Sequence, residues 1–143
     1  MTGTHKFHFD VSGDDYHRAG EASFEVKRLL QKLGLPSAVI RRTSIAMYEG
    51  EINMVIHADG GAIDVEVDES HISIVMRDTG PGIEAVELAM KEGYTTASET
   101  VRSMGFGAGM GLPNIQKHSD EMRIESIPGT GTTIYIKIAI DGG

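Results

Sequence analysis

Glu49 and Asn53 stand one helical turn apart, and an acid and an amide at that spacing on one helix face suit a hydrated Mg²⁺. Asp78-Thr79-Gly80-Pro81-Gly82 sets a carboxylate ahead of a glycine turn. There the acid can accept from an adenine amino group, while Gly80 and Gly82 let the backbone come close to a ligand. Gly105-Phe106-Gly107-Ala108-Gly109-Met110-Gly111 places a glycine at every second position ahead of a predicted helix. The amides of Gly105, Gly107, Gly109 and Gly111 can then line a phosphate chain, and the helix start adds a favourable dipole. In chain order the three patterns read as a nucleotide site, which none of them establishes alone.

Each pattern has a plainer alternative. Glu49 and Asn53 form an ordinary hydrogen-bonded pair on many helix surfaces, Asp78 caps a simple turn, and the glycines make a flexible loop. Four regularly spaced glycines interleaved with Phe106 and Met110 are nevertheless a poor linker. Gly80-Pro81-Gly82-Ile83-Glu84-Ala85 fits the relaxed dinucleotide fingerprint but lacks the following parallel strand with a ribose-binding acid. No Gly-Lys-Ser/Thr triplet exists, which excludes a P-loop. A hairpin turn accounts for Gly129-Thr130-Gly131-Thr132, and Thr132 at its foot is a candidate nucleotide contact. His5, His8, His17, His71 and His118 show no metal-ligand spacing, and no hydrolase nucleophile elbow is present.

These residues need elements to position them. Alternation over Lys6 to Val11 predicts a half-buried strand, and Asp14 or Asp15 then caps a predicted helix to about Leu33, with Ala22, Val26, Leu29, Leu30 and Leu33 inward. A second helix runs from Ser37 to about Ala58. In it Ile45, Ile52 and Ile56 define the stripe facing the sheet, with Glu49 inside that stripe, Asn53 and His57 on its edge, and Glu51 turned to solvent. Ala62 to Val67 and His71 to Met76 alternate around Asp68-Glu69-Ser70 and predict a hairpin. Ile83 to Met90 reads as a short helix, Lys91 to Met104 as a polar lid, and Gly109 to His118 as a helix. Glu121 to Ile127 and Thr132 to Ile140 form a second hairpin. Helices kept apart from hairpins predict an α+β, two-layer α/β sandwich with a mostly antiparallel mixed sheet and helices on one face.

Composition bounds the rest. A chain of 143 residues with 40% hydrophobic residues has the size of one domain, 1–143, with a core of its own. A formal net charge of −8 argues against nucleic acid as a direct partner, so an anionic ligand has to be held locally. There is no cysteine, which excludes disulfides and thiolate metal sites. No stretch reaches the ~20 apolar residues of a membrane span. The expectation is a soluble, cytoplasmic protein without a membrane partner.

At these three motifs the chain resembles the GHKL superfamily of ATP-binding domains, with the Bergerat-type fold, over nearly its whole length. The subfamily it is most similar to is the bacterial anti-sigma-factor serine/threonine kinases. The resemblance implies that Glu49 is the family's catalytic carboxylate, acting as general base, and that Asn53 holds Mg²⁺. It also implies that Asp78 contacts adenine in a pocket shaped by Gly80 and Gly82, and that Gly107, Gly109 and Gly111 cradle the phosphates of ATP under a lid at about residues 84–106. It further implies a small cytoplasmic homodimer that binds a sigma factor and phosphorylates an antagonist protein. Sensor histidine kinases join such a domain to a helical segment bearing the phospho-accepting histidine, and gyrase- and chaperone-type ATPases add a lysine-bearing domain; neither is expected here. One departure stands out. Where sporulation-type kinases carry an arginine before the last glycines, this chain has Gly107-Ala108, with Arg102 and Lys91 as the nearby cations. The alternatives are a nucleotide-gated binding module without catalysis and a detached histidine-kinase-type ATP-binding domain.

Overall fold

The computed structural model describes residues 4–12, 19–57, 60–78, 111–127 and 131–140. The predicted lid at 84–106, the helix at 83–90, Asp14 and Asp15, and Gly80, Gly82, Gly105, Gly107 and Gly109 lie outside the described residues. The elements are β1 (His5–Ser12), α1 (Glu21–Lys32), α2 (Ser37–His57), β2 (Gly60–Val67), β3 (His71–Asp78), α3 (Gly111–His118), β4 (Glu121–Ile127) and β5 (Gly131–Ala139).

Both predicted hairpins form. Asp68 builds the turn of the first, accepting the amides of Ser70 and His71 at 2.7 Å each, and those bonds hold its carboxyl below the usual carboxylate range. The sheet order is β1-β2-β3-β5-β4, and every described pairing is antiparallel. The two hairpins therefore meet along the β3–β5 seam, where Ile72 faces Ile138, Ile74 faces Ile136 and Met76 faces Ile134. Alternation decides the layers: Ile63, Val65, Ile72, Ile74, Ile136 and Ile138 are buried against the helices. On the opposite face Asp64 bridges His8 (2.7 Å) and Arg77 (3.0 Å) in water. Each fully buried aliphatic side chain stabilises the sheet by about 1.5–3 kcal/mol relative to its exposed state.

Two sequence expectations are corrected by the helices. The first helix starts later than predicted, at Glu21 behind Gly20, which adopts a left-handed conformation (φ 98°) and offers no side-chain cap. The cap comes from the other helix. Glu51 is 2% exposed. Its Oε2 accepts the amides of Gly20 (3.0 Å) and Ala22 (3.1 Å), and its Oε1 accepts the Ser23 amide (3.0 Å) and hydroxyl (2.7 Å). A carboxylate there satisfies the orphan amides of the first turn and sits at the positive end of the helix dipole. Glu51 is thus a buried clamp rather than a solvated side chain.

The second correction concerns the inner face of α2. Ile52 is buried, but Ile45 and Glu49 are only half-buried. The buried line runs instead through Thr43, Met47, Gly50 and Met54, and Gly50 on it meets the sheet. At Gly50 the helix lies so close to β3 that an added Cβ would collide with the Met76 side chain. Successive helical residues are about 100° apart, so Glu49 and Glu51 project to opposite flanks of that contact. Glu51 meets α1, and Glu49 meets α3.

Candidate active site

Connectivity and register place the candidate residues at one end of the sheet. α2 ends at His57 and β2 begins at Gly60, and Gly61 faces Asp78 across the β2–β3 ladder. Asp78 therefore lies at the end of the sheet reached by the last turns of α2. From the Gly50–Met76 contact, Asn53 is nearly one turn further along α2, and Asp78 is two residues further along β3 on the same, inward face. Gly61 is required beside it, because a Cβ there would strike the Arg77 carbonyl and approach the Asp78 Cα to 2.8 Å.

α3 completes this end. The Asn114 amide donates to Glu49 Oε1 at 3.4 Å, while Arg42 donates to the His118 carbonyl at 3.2 Å and to Asp120 at 3.0 Å. α3 consequently runs antiparallel to α2, and its first residue, Gly111, comes on the Asn53 side of Glu49. The start of a helix, with the positive end of its dipole, is thus presented beside the Asn53 turn, as an anionic ligand needs.

Electrostatics distinguish Glu49 from an ordinary surface acid. Burial raises its carboxyl above the usual carboxylate range, against the Asn114 hydrogen bond and the charge of His118, which pull it down. A carboxylate so placed is a better proton acceptor than a solvated one. Asn53 is half-buried, and among the described residues no protein group engages its amide. Its oxygen is a hard donor of the kind a partly hydrated Mg²⁺ takes, so the side chain fits that ion.

Asp78 and Thr132, separated in sequence, are joined in space. Asp78 Oδ1 accepts the Thr132 amide at 3.0 Å across the β3–β5 seam, and Thr132 is 6% exposed. One carboxylate oxygen is fixed by the sheet, so the carboxylate has a set orientation. Asn114 and Glu51 were not singled out by the sequence. Asn114, a polar residue in the first turn after the glycine series, carried a usable signal; Glu51 carried none, since its partners lie 28 to 31 residues away.

Comparison with known proteins bears on the family and the fold. A family model described as "Histidine kinase-, DNA gyrase B-, and HSP90-like ATPase" matches residues 39–142. An anti-sigma F factor of Clostridium novyi is 32% identical over 81% of this chain and 82% of its own. The serine/threonine-protein kinase RsbT of Bacillus subtilis is 28% identical over 76% and 78% of the two chains. An anti-sigma F factor of Pasteuria penetrans is 34% identical, and the match spans 60% of its length. Among solved structures, the mycobacterial sensor histidine kinase MprB superposes with a TM-score of 0.55 over 94% of this chain and 97% of its own, at 17% identity, a likeness of fold.

Proposed function

The chain belongs to the histidine kinase-, DNA gyrase B- and HSP90-like ATPase family, and from that premise we propose that it is an anti-sigma regulatory serine/threonine protein kinase that uses ATP and Mg²⁺. The observation that carries the catalytic half of this reading is Glu49: a half-buried carboxylate with a raised pKa, oriented by Asn114, one turn from the Asn53 amide. Its partners on this reading are a sigma factor and an antagonist protein that supplies the acceptor hydroxyl, and it works in the cytoplasm as a homodimer. No helix among the described residues is long and apolar enough to cross a membrane.

Each residue has one task in the reaction. Asp78, oriented by the Thr132 amide, accepts the adenine amino group. The amides at the start of α3 and of the preceding glycines hold the phosphates. Asn53 would hold Mg²⁺, which when bound neutralises phosphate charge. Glu49 takes the proton of the acceptor hydroxyl as its oxygen bonds to the γ-phosphorus; the bond to the leaving ADP oxygen breaks in the same displacement.

The test is transfer of labelled γ-phosphate from ATP with Mg²⁺ to a purified panel of the sigma factors and antagonist-type proteins encoded by the same genome. Phosphoserine or phosphothreonine on one antagonist is the expected product. Nucleotide binding without transfer to any member would instead favour the nucleotide-gated binding module.

The adenine assignment makes a separate prediction. Asp78→Asn keeps an oxygen for the Thr132 amide but replaces the other with a donor that opposes the adenine amino group. ATP affinity should fall by about 2 kcal/mol, roughly 30-fold, with the melting temperature little changed. Calorimetric titration decides the matter: parent-like affinity in this variant would remove Asp78 from the adenine pocket.

A further inference from the structure

Glu49 has a weak hold on its own orientation. The Asn114 amide reaches it at 3.4 Å, the long end of the hydrogen-bond range, so the geometry of that contact follows from where α3 lies. α3 is eight residues long, too short to be stable by itself, and takes its position from its neighbours. Pro113 and Ile115 are its buried residues among those described. Apolar burial is non-directional, so it fixes how deeply the helix sits but does little to fix its rotation or its register along α2.

Directional contacts lie at its far end. Arg42 precedes Glu49 by seven residues, two turns of α2 and about 10 Å, on nearly the same helix face. Its guanidinium is a rigid fork: Nε donates to the His118 carbonyl at 3.2 Å and Nη2 to Asp120 Oδ2 at 3.0 Å. A cation there also meets the negative end of the α3 dipole. Asp120 is itself held by β5, since the same oxygen accepts the Ala139 amide at 2.7 Å and its own amide donates to the Lys137 carbonyl at 2.9 Å. His118 Nδ1 donates to the Asn114 carbonyl at 2.8 Å. The contacts thus form a closed circuit that leaves α2 at Glu49, passes through Asn114 and His118, and returns to α2 at Arg42.

We propose that Arg42 is a positioning residue for the phosphoryl transfer: its grip on the C-terminal end of α3 sets the register in which Asn114 meets Glu49, and so aims the carboxylate that takes the acceptor's proton. This rests on the kinase reading for what Glu49 does, while the link from Arg42 to Glu49 is a separate claim. Charge by itself is the rival route. The charge of Arg42 is matched by Asp120, whereas His118 acts on the Glu49 carboxyl and Lys27 lines the same recess as Glu49.

The experiment compares Arg42→Met, which keeps the aliphatic stem without the fork, and Arg42→Lys, which keeps the charge without the two-pronged grip. At saturating ATP and acceptor, kcat should fall about tenfold or more in Arg42→Met and by less in Arg42→Lys, with the acceptor KM at the parent value. The Arg42 side chain is 34% exposed, so both variants should melt near the parent. Carbon-13 NMR of the glutamate carboxyls, with Glu49→Gln to assign the resonance, reads the link without any transfer. Burial raises the Glu49 carboxyl and the Asn114 bond pulls it back, so its titration midpoint should rise in Arg42→Met. In an Asn114→Ala background the Arg42 substitution should move neither kcat nor midpoint further, because the path runs through Asn114. Effects that add in that background would reveal a direct action of charge and overturn the proposal, as would a parent-like kcat or midpoint in Arg42→Met. A midpoint that moves as expected, in a protein whose parent form transfers phosphate to no panel member, overturns the kinase reading and leaves the positioning role intact.

Discussion

Glu49→Gln should retain the fold and bind ATP as the parent does, yet transfer phosphate at least about 10²-fold more slowly. Glutamine keeps an oxygen for the Asn114 amide, so the α2–α3 contact survives, but it cannot take the acceptor's proton. The loss should appear in kcat with the acceptor KM unchanged, because the group acts in the transition state. The parent's pH profile offers an independent check. A base works only when deprotonated, and burial raises the Glu49 carboxyl, so activity should fall with decreasing pH at a value above the ordinary carboxylate range. Parent-like turnover in Glu49→Gln would sink the base assignment.

Glu51→Ala should cost about 3 kcal/mol or more of stability, the largest effect expected of any substitution outside the hydrophobic core. It strips acceptors from three amides and a hydroxyl at once, two of those amides being buried, and leaves the positive end of α1 uncompensated. Glu51→Gln should cost less, because one oxygen still serves one pair of donors while the new amide group opposes part of the other. Denaturant melts of the three proteins should therefore rank parent, Gln, Ala; equal midpoints for parent and Ala would show that α1 finds other caps.

The sheet was legible in the sequence because its two faces differ. Residues such as Asp64 and Arg77 meet water while Ile63, Val65 and Met76 meet helices, and that contrast prints a period of two on each strand. α2 lacked such a contrast. It has α1 on one flank, α3 on the other and the sheet beneath, so buried residues occur around most of its circumference and no single stripe marks the inner face. That is why the sequence pattern points Glu49 into the stripe and Glu51 to solvent, whereas the packing gives Glu49 a half-buried flank and Glu51 the more deeply buried position. The start of α1 is hidden for a related reason: its cap is supplied by a residue of another helix, and local patterns cannot register a partner 28 to 31 positions away. Of the candidate site, the motif residues were visible by type and spacing. Their shared end of the sheet was not, since it depends on the pairing of β3 with β5.

That seam has a bearing on how such a chain can change over generations. Ile72, Ile74 and Met76 stand opposite Ile138, Ile136 and Ile134, so each buried side chain of one hairpin is fitted against one of the other. Each contributes about 1.5–3 kcal/mol. A change of volume on one strand is therefore best tolerated with a matching change across the ladder, and the two hairpins drift in sequence as pairs rather than as single positions.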